Sequence, residues 1–461
     1  MPRRSAFTPT RRFHPAKQPL PSRSIDVSIE KLVYDGEGLA HHEGSTVFVP
    51  YVLPAERVAA QPYEQKKKFV RARLANIVEA SPQRASPLCP HFASCGGCDY
   101  QHIPYESQLT YKAEILRETL RRLGKIEWAG EIKVHASEPW RYRNRAQWKI
   151  RSQVPTEAGA GVAVAGSPTD SLAIGYFRGN STQLCAVQDC PILAPVLLKT
   201  LLSLRDALAA GTLPRELREI EAFTPESPDG ADARVLVTAT FAGFPSRADE
   251  HAAKFREVIP ELESLVFHDP TRDRMQLFGP GFVEFSLAEH KYRVGHFSFF
   301  QVNRFLAAEL ATEVAAAESG EVALDLFAGV GLFAVPLATR FQRVIAVESN
   351  PAAVRDLEAN ARGASIEIRT ADVDEFLKKF KGSADLVVLD PPRAGLPPGS
   401  AERLAQLAPR RITYVSCEPP TLARDLAVLS SAGYEISELH LFDLFPQTFH
   451  IETVARLSRT R

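Results

Sequence analysis

The sequence predicts an α/β protein. Its C-terminal third reads as a mostly parallel sheet with helices on both faces, behind a small N-terminal β-barrel and a mixed α+β middle region. Three observations predict this. After residue 302, apolar runs of strand length at 322–326, 343–347, 366–369, 386–389, 412–416, 436–441 and 451–456 are separated mainly by helical stretches, the pattern of a sheet buried on both faces. Near the start, short strands at 25–32, 45–50, 58–61 and 69–78 crowd into roughly 60 residues, as a small barrel requires. Between the two, a helix at 105–123 ending at Gly124 stands among strand candidates at 141–151, 173–177, 234–241 and 261–268.

These elements divide the chain into a basic arm at 1–23, the barrel at 24–80, the middle region at 81–300 and the C-terminal sheet at 301–461. A proline- and serine-rich stretch at 81–90 reads as a linker, and the small residues of 158–168 read as a hairpin tip. Prolines at 2, 9, 15, 19 and 21 exclude an amphipathic targeting helix in the arm, which is expected to be disordered. No apolar run reaches the roughly 20 residues of a membrane helix, and no secretory signal is visible. With 55 basic and 55 acidic residues, any nucleic-acid binding must come from local patches. The six cysteines, three of them clustered, point to a reducing, cytoplasmic setting in which thiols serve metal binding or chemistry.

Residues 325–331 read Asp-Leu-Phe-Ala-Gly-Val-Gly between an apolar strand and an apolar helical stretch. Such a turn lets the backbone approach a ligand. The next strand ends in Glu348, placed to accept ribose hydroxyls of an adenosine, and Asp372 follows the third strand, within reach of an adenine amine. Leu-Val-Val-Leu-Asp-Pro-Pro-Arg (386–393) sets Asp390 just beyond a buried strand, and Ser-Cys-Glu-Pro-Pro-Thr-Leu-Ala-Arg-Asp (416–425) sets Cys417 at the same edge of the following one. That edge is where open α/β sheets bind ligands. Phe-Pro-Gln-Thr-Phe-His-Ile-Glu (445–452) adds His450 and Glu452 as candidate bases. A polar, half-exposed strand end is expected to lower the thiol pKa of Cys417.

Together with Phe-Gln-Val-Asn (300–303), these segments, in this order, resemble the RNA uracil-C5 methyltransferases. The resemblance implies a Rossmann-like sheet that uses S-adenosylmethionine. It makes Cys417 the nucleophile and Glu452 the base, with His450 in support, and it lines the cofactor site with Gln301, Phe327, Glu348, Asp390 and, less centrally, Asp372. The chain departs from the family pattern at Leu332 and Glu418, where asparagine is usual. The chemistry accounts for the residue types. A thiolate adding to C6 of uracil makes C5 an enolate carbon able to take a methyl group. A base then removes the C5 proton. The target base must be unstacked for this to happen.

Cys89, Cys95 and Cys98 follow the spacing C-x5-C-x2-C, with Gly96 and Gly97 allowing a tight turn. Three such thiolates suit zinc or an iron–sulfur cluster, and Cys185 or Cys190 can supply a fourth. The family resemblance selects a 4Fe-4S cluster and Cys190. RNA contacts are expected from strand 141–151, whose Arg141, Arg143, Arg145, Gln147, Lys149 and Arg151 would share one face without acidic partners. They are also expected from the barrel, where Asp35-Gly36-Glu37-Gly38-Leu39-Ala40 and Val-Phe-Val-Pro (47–50) resemble a TRAM domain. Within the family it resembles, the combination of barrel and cluster implies 23S ribosomal RNA as the substrate, and a monomer is expected. Transfer RNA, or a non-catalytic iron–sulfur RNA-binding protein, are the alternatives.

Overall fold

The computed structural model describes residues 24–152, 172–316 and 319–460. The arm at 1–23 and the hairpin tip at 158–168 lie outside the described residues. The chain forms two compact units, Met1–Arg84 and Ala85–Arg461.

In the first unit, valines and alanines alternate along short strands. The six strands form one sheet in the order Ile25–Ser28, Arg57–Gln65, Phe69–Glu79, Ser45–Pro50, Glu37–His42 and Lys31–Leu32. Its core is Val27, Ile29, Ala40, Val47, Val49, Val52, Val58, Ala60, Val70 and Ala72. The fully buried Glu56 is neutralised within this unit. It accepts the Leu53 amide at 2.9 Å and a forked pair of bonds from Arg84 at 2.6 and 2.8 Å. The run Lys66–Lys68 is exposed between two strands.

The second unit holds two larger sheets. The C-terminal one has the order Ile366–Thr370, Phe341–Glu348, Gly320–Leu326, Leu386–Leu389, Arg411–Ser416, Glu452–Arg459, Tyr434–Phe442 and Ile132–His135. The first five strands are parallel to one another. Glu452–Arg459 runs antiparallel to both its neighbours. Leu386–Leu389 is fully buried, as its unbroken apolar sequence requires, and Arg411–Ser416 is buried from Ile412 onward. The last strand, Ile132–His135, is supplied by the middle of the chain. Its four residues, Ile-Lys-Val-His, carry too little periodicity to be recognised in sequence.

The middle sheet runs from Leu184–Ala186 through Leu172–Phe177, Arg145–Ser152, Leu217–Phe223, Val235–Phe241 and Leu262–Asp269 to Arg274–Phe278. Helices Pro195–Ala209 and Ala248–Val258 pack into the same core. The expected basic strand at 141–151 requires correction. It begins only at Arg145, because Arg141 adopts φ 57° and Arg143 pairs instead with the backbone of Ile192 at 2.9 Å. Its basic face is not free of acid partners either. Arg145 pairs with Glu221 at 2.5 Å, and Lys149 pairs with Glu219. Neighbouring strand Leu217–Phe223 places both carboxylates opposite, a match that the strand's own sequence cannot reveal. Elsewhere the expected helix at 105–123 is α-helical over Tyr105–Thr119 and widens to a π-turn over Leu120–Gly124, which ends at the left-handed Lys125. No helix among the described residues is long and apolar enough to cross a membrane.

Candidate active site

One edge of the C-terminal sheet gathers nearly every residue expected to act. Phe327 follows strand Gly320–Leu326, and Glu348 ends strand Phe341–Glu348. Asp390 follows Leu386–Leu389, and Cys417 follows Arg411–Ser416. Glu452 reaches the same edge from the other direction, because it opens an antiparallel strand in which Thr453 pairs with Ser416.

The glycine loop is held from below. Phe327, Gly329 and Gly331 all have left-handed backbone, at φ 65°, 55° and 90°. At Gly331 the left-handed backbone demands glycine, and a Cβ there would also press on a Leu357 methyl at 2.6 Å. The Glu348 carboxylate accepts the amides of Gly329, Ser349 and Asn350 at 2.8, 2.8 and 2.7 Å. It thus shapes the loop. Leu332 turns into the core, leaving its carbonyl to accept the Tyr292 hydroxyl at 3.1 Å. Asp372 is exposed and caps helix Val373–Lys379 through the amides of Asp374 and Glu375.

Gln301 is buried, and its carbonyl accepts the Asn144 side chain at 3.1 Å. Two neighbours fix its segment. Asn303 caps the turn after it by accepting the amides of Phe305 and Leu306. Asp356 accepts the Gly295 amide at 2.7 Å and the Ser298 hydroxyl at 2.6 Å. Sequence reasoning passed over Asp356, which looks like any helix-surface acid until the loop folds onto it.

Electrostatics at Cys417 run against expectation. Burial, reinforced by the charges of Glu452, Asp390 and Glu418, pushes the thiol up to about 12, opposed by Arg393 alone. The anticipated lowering does not occur, because a polar edge whose polar groups are carboxylates repels a thiolate. Burial also raises Asp390 to about 7 and lifts Glu452 well above the usual carboxylate range, with Asp390 adding to the effect on Glu452. His450 is held neutral, its pKa lowered to about 3 by burial and by the cations around it. Arg393 donates to its Nε2 at 3.4 Å.

Next to this edge lies a cavity of about 270 Å³ whose wall includes Cys89, Cys95, Cys98 and Cys190, together with Arg143 and, from the far end of the unit's sequence, Thr448 and His450. The cavity therefore gathers the four expected thiols. Cys185 is not in the wall, but it shares a sulfur hydrogen bond with Cys95. Among the described residues, no three of these thiols lie within 4.8 Å of one another. The group that does is Glu313, Glu438 and His440, which Arg456 already bridges. Gly96 is needed for close approach and not for a left-handed turn, since a Cβ would lie 3.1 Å from the Phe177 carbonyl.

Comparison with known proteins gives a consistent result. The family model for tRNA (uracil-5-)-methyltransferases matches residues 283–460. A 23S rRNA (uracil(1939)-C(5))-methyltransferase of Shewanella piezotolerans is 32% identical, over 94% of this chain and 95% of its own. One from Pectobacterium atrosepticum is also 32% identical, over 97% and 96%. The crystal structure of a Pyrococcus abyssi tRNA (uracil-54, C5)-methyltransferase superposes with a TM-score of 0.70, covering 94% of this chain and 100% of that one at 24% identity, and so shares the fold. Similarity of this extent across both chains, joined to the strand-edge arrangement of Asp390, Cys417 and Glu452, makes the chain a member of the S-adenosylmethionine-dependent RNA uracil-C5 methyltransferases.

Proposed function

We propose that this enzyme methylates a uracil of 23S ribosomal RNA through a covalent bond between Cys417 and C6. The observation that carries the proposal is the common sheet edge of Cys417, Asp390 and Glu452. Because the resting thiol is protonated, its proton must leave before attack, and Asp390, with a pKa of about 7, is the available acceptor. The thiolate adds to C6, and the electron pair released at C5 takes the methyl group from S-adenosylmethionine, leaving S-adenosylhomocysteine. Glu452, whose pKa burial raises, acts only once it has itself given up its proton, and the ionised carboxylate then removes the C5 proton. The C5–C6 double bond re-forms, and the thiolate is expelled. In this reading Gln301, Phe327, Glu348 and Asp390 line the methyl-donor site, and Asp372 stands at its adenine end with one carboxylate oxygen engaged in the helix cap.

The same reading has Cys89, Cys95, Cys98 and Cys190 hold a 4Fe-4S cluster. Tetrahedral zinc with bonds of about 2.3 Å would draw its sulfurs to within about 4 Å. Thiols spread around a larger cavity suit a cluster better. When bound, the cluster supplies a fixed cross-link between the segments that carry the thiols. The first unit is read as a TRAM-like RNA-binding barrel with Lys67 and Lys68 at its surface, and the enzyme as a cytoplasmic monomer. Ribosomal RNA is favoured over transfer RNA because relatives 32% identical over almost the whole chain bear the 23S name, whereas the transfer-RNA enzyme, at 24% identity, shares the fold alone.

Mapping 5-methyluridine in ribosomal and transfer RNA from a deletion strain tests the substrate. Loss confined to transfer RNA would overturn it. Incubation with 5-fluorouridine RNA tests the mechanism: wild type should form a gel-stable adduct, whereas Cys417→Ala should bind RNA without forming one. Anaerobic purification tests the cluster, since a colourless zinc protein would exclude it.

A further inference from the structure

Glu452 owes its position to the segment before it, and that segment is fastened by the cysteine loop. Strand Tyr434–Phe442 pairs Phe442 with Glu452, so residues 443–451 form the connection that closes on the base. Gln447 lies at its centre, buried and in left-handed backbone at φ 68°. A non-glycine residue holds that conformation only when its surroundings impose it. Here they do. The Gln447 carbonyl accepts the amides of Asp99 and Tyr100, each at 2.9 Å, immediately after Cys98. Its amide donates to Gln108 Oε1 at 2.9 Å, and its side-chain oxygen accepts from Gln108 Nε2 at 3.0 Å. Three residues later, His450 lines the thiol cavity.

From this geometry we infer that Gln447 is a positioning residue that makes proton removal by Glu452 depend on the cysteine loop being held. The inference rests on the proposed roles of Glu452 and the thiols. Its chemical consequence is specific. Attack by Cys417 and methyl transfer do not need the base. Breaking the C5–H bond does need it, and with it the return of the electron pair to C5–C6 and expulsion of the thiolate. If Glu452 is misplaced, the methylated protein–RNA adduct forms and persists.

The test compares full-length Gln447→Gly with Gln108→Leu on ordinary uridine RNA. The glycine variant keeps the left-handed backbone at no steric cost and removes the side-chain bond, while the leucine variant removes both bonds between Gln108 and Gln447 together with those from Gln108 to the Tyr100 and Ile103 carbonyls. Turnover should fall roughly tenfold to a hundredfold. The covalent adduct should accumulate on a denaturing gel, with KM for S-adenosylmethionine and iron content as in wild type. Treating wild type with an iron chelator should give the same accumulation. Wild-type turnover in both variants or after chelation overturns the inference. So does an adduct yield that falls in step with turnover, which is what general destabilisation would produce. If Gln108→Leu does not fold, Gln447→Gly decides. A Glu452→Gln control that fails to accumulate adduct would refute the base assignment, and iron-free wild type would refute the cluster. Either result is distinct from a failure of the coupling.

Discussion

At Cys417 three carboxylates and burial oppose the thiolate, and one guanidinium favours it. A thiol raised to about 12 is protected from adventitious oxidation and alkylation, since the thiolate is the reactive form. Arg393→Leu should therefore slow adduct formation with 5-fluorouridine RNA by roughly tenfold or more at neutral pH, an effect that shrinks as pH rises. Asp390 allows a second prediction. Its folded pKa of about 7 lies above the ordinary aspartate value, so the folded state binds the proton more tightly than the unfolded chain. The associated stability is complete below about pH 4 and is lost as pH climbs through about 7. Asp390→Asn should consequently raise Tm at pH 8, by less than about 2–4 °C for each kcal/mol recovered, since that range belongs to smaller domains. That gain should vanish at pH 4, while methylation falls at both. A thermal melt at the two pH values, set beside an activity assay, checks the sign.

Among the elements, the connection at 443–451 is the most heavily restrained part of the site. Besides Gln447, its carbonyl groups receive Lys112 at Phe445 and Tyr142 at Pro446, each at 3.0 Å. Lys112 also bonds the Asp443 carboxylate at 2.6 Å with both side chains fully buried. Removing one partner of a buried pair strands the other charge. Lys112→Met should therefore cost about 3–5 kcal/mol in a denaturant melt, and the double variant with Asp443→Leu should regain part of that loss. The pairs Gln108–Gln447 and Lys112–Asp443 join residues 339 and 331 positions apart. Contacts at such separations leave no periodic trace, which is why helix Tyr105–Thr119 reads from sequence only as a helix. The strand ends are different. Asp390 and Cys417 were legible because each follows an apolar run too short for a helix and precedes two prolines or Glu-Pro-Pro. The basic strand misled because its acidic partners, Glu219 and Glu221, belong to another strand.

For the molecule as a whole, a net charge of zero leaves RNA affinity to local patches. With Arg145 and Lys149 paired to acids, the exposed lysines of the first unit gain weight. Lys67→Ala with Lys68→Ala should weaken RNA binding and reduce the slope of log K against log salt by about 1–2. Turnover at saturating RNA should be preserved, as filter binding at several salt concentrations alongside a kinetic assay can show.

By itself the sequence determined the order of strands and helices in the C-terminal third, the edge shared by Asp390 and Cys417, and the family. Each of these follows from local runs of apolar residues and the groups that end them. Only the tertiary structure decided the arrival of Glu452 at that edge, the ionisation of those groups, the pairing of the basic strand and the fastening of the segment before Glu452 by the cysteine loop. These depend on which charges and amides are brought together out of water, and folding settles that between residues hundreds of positions apart.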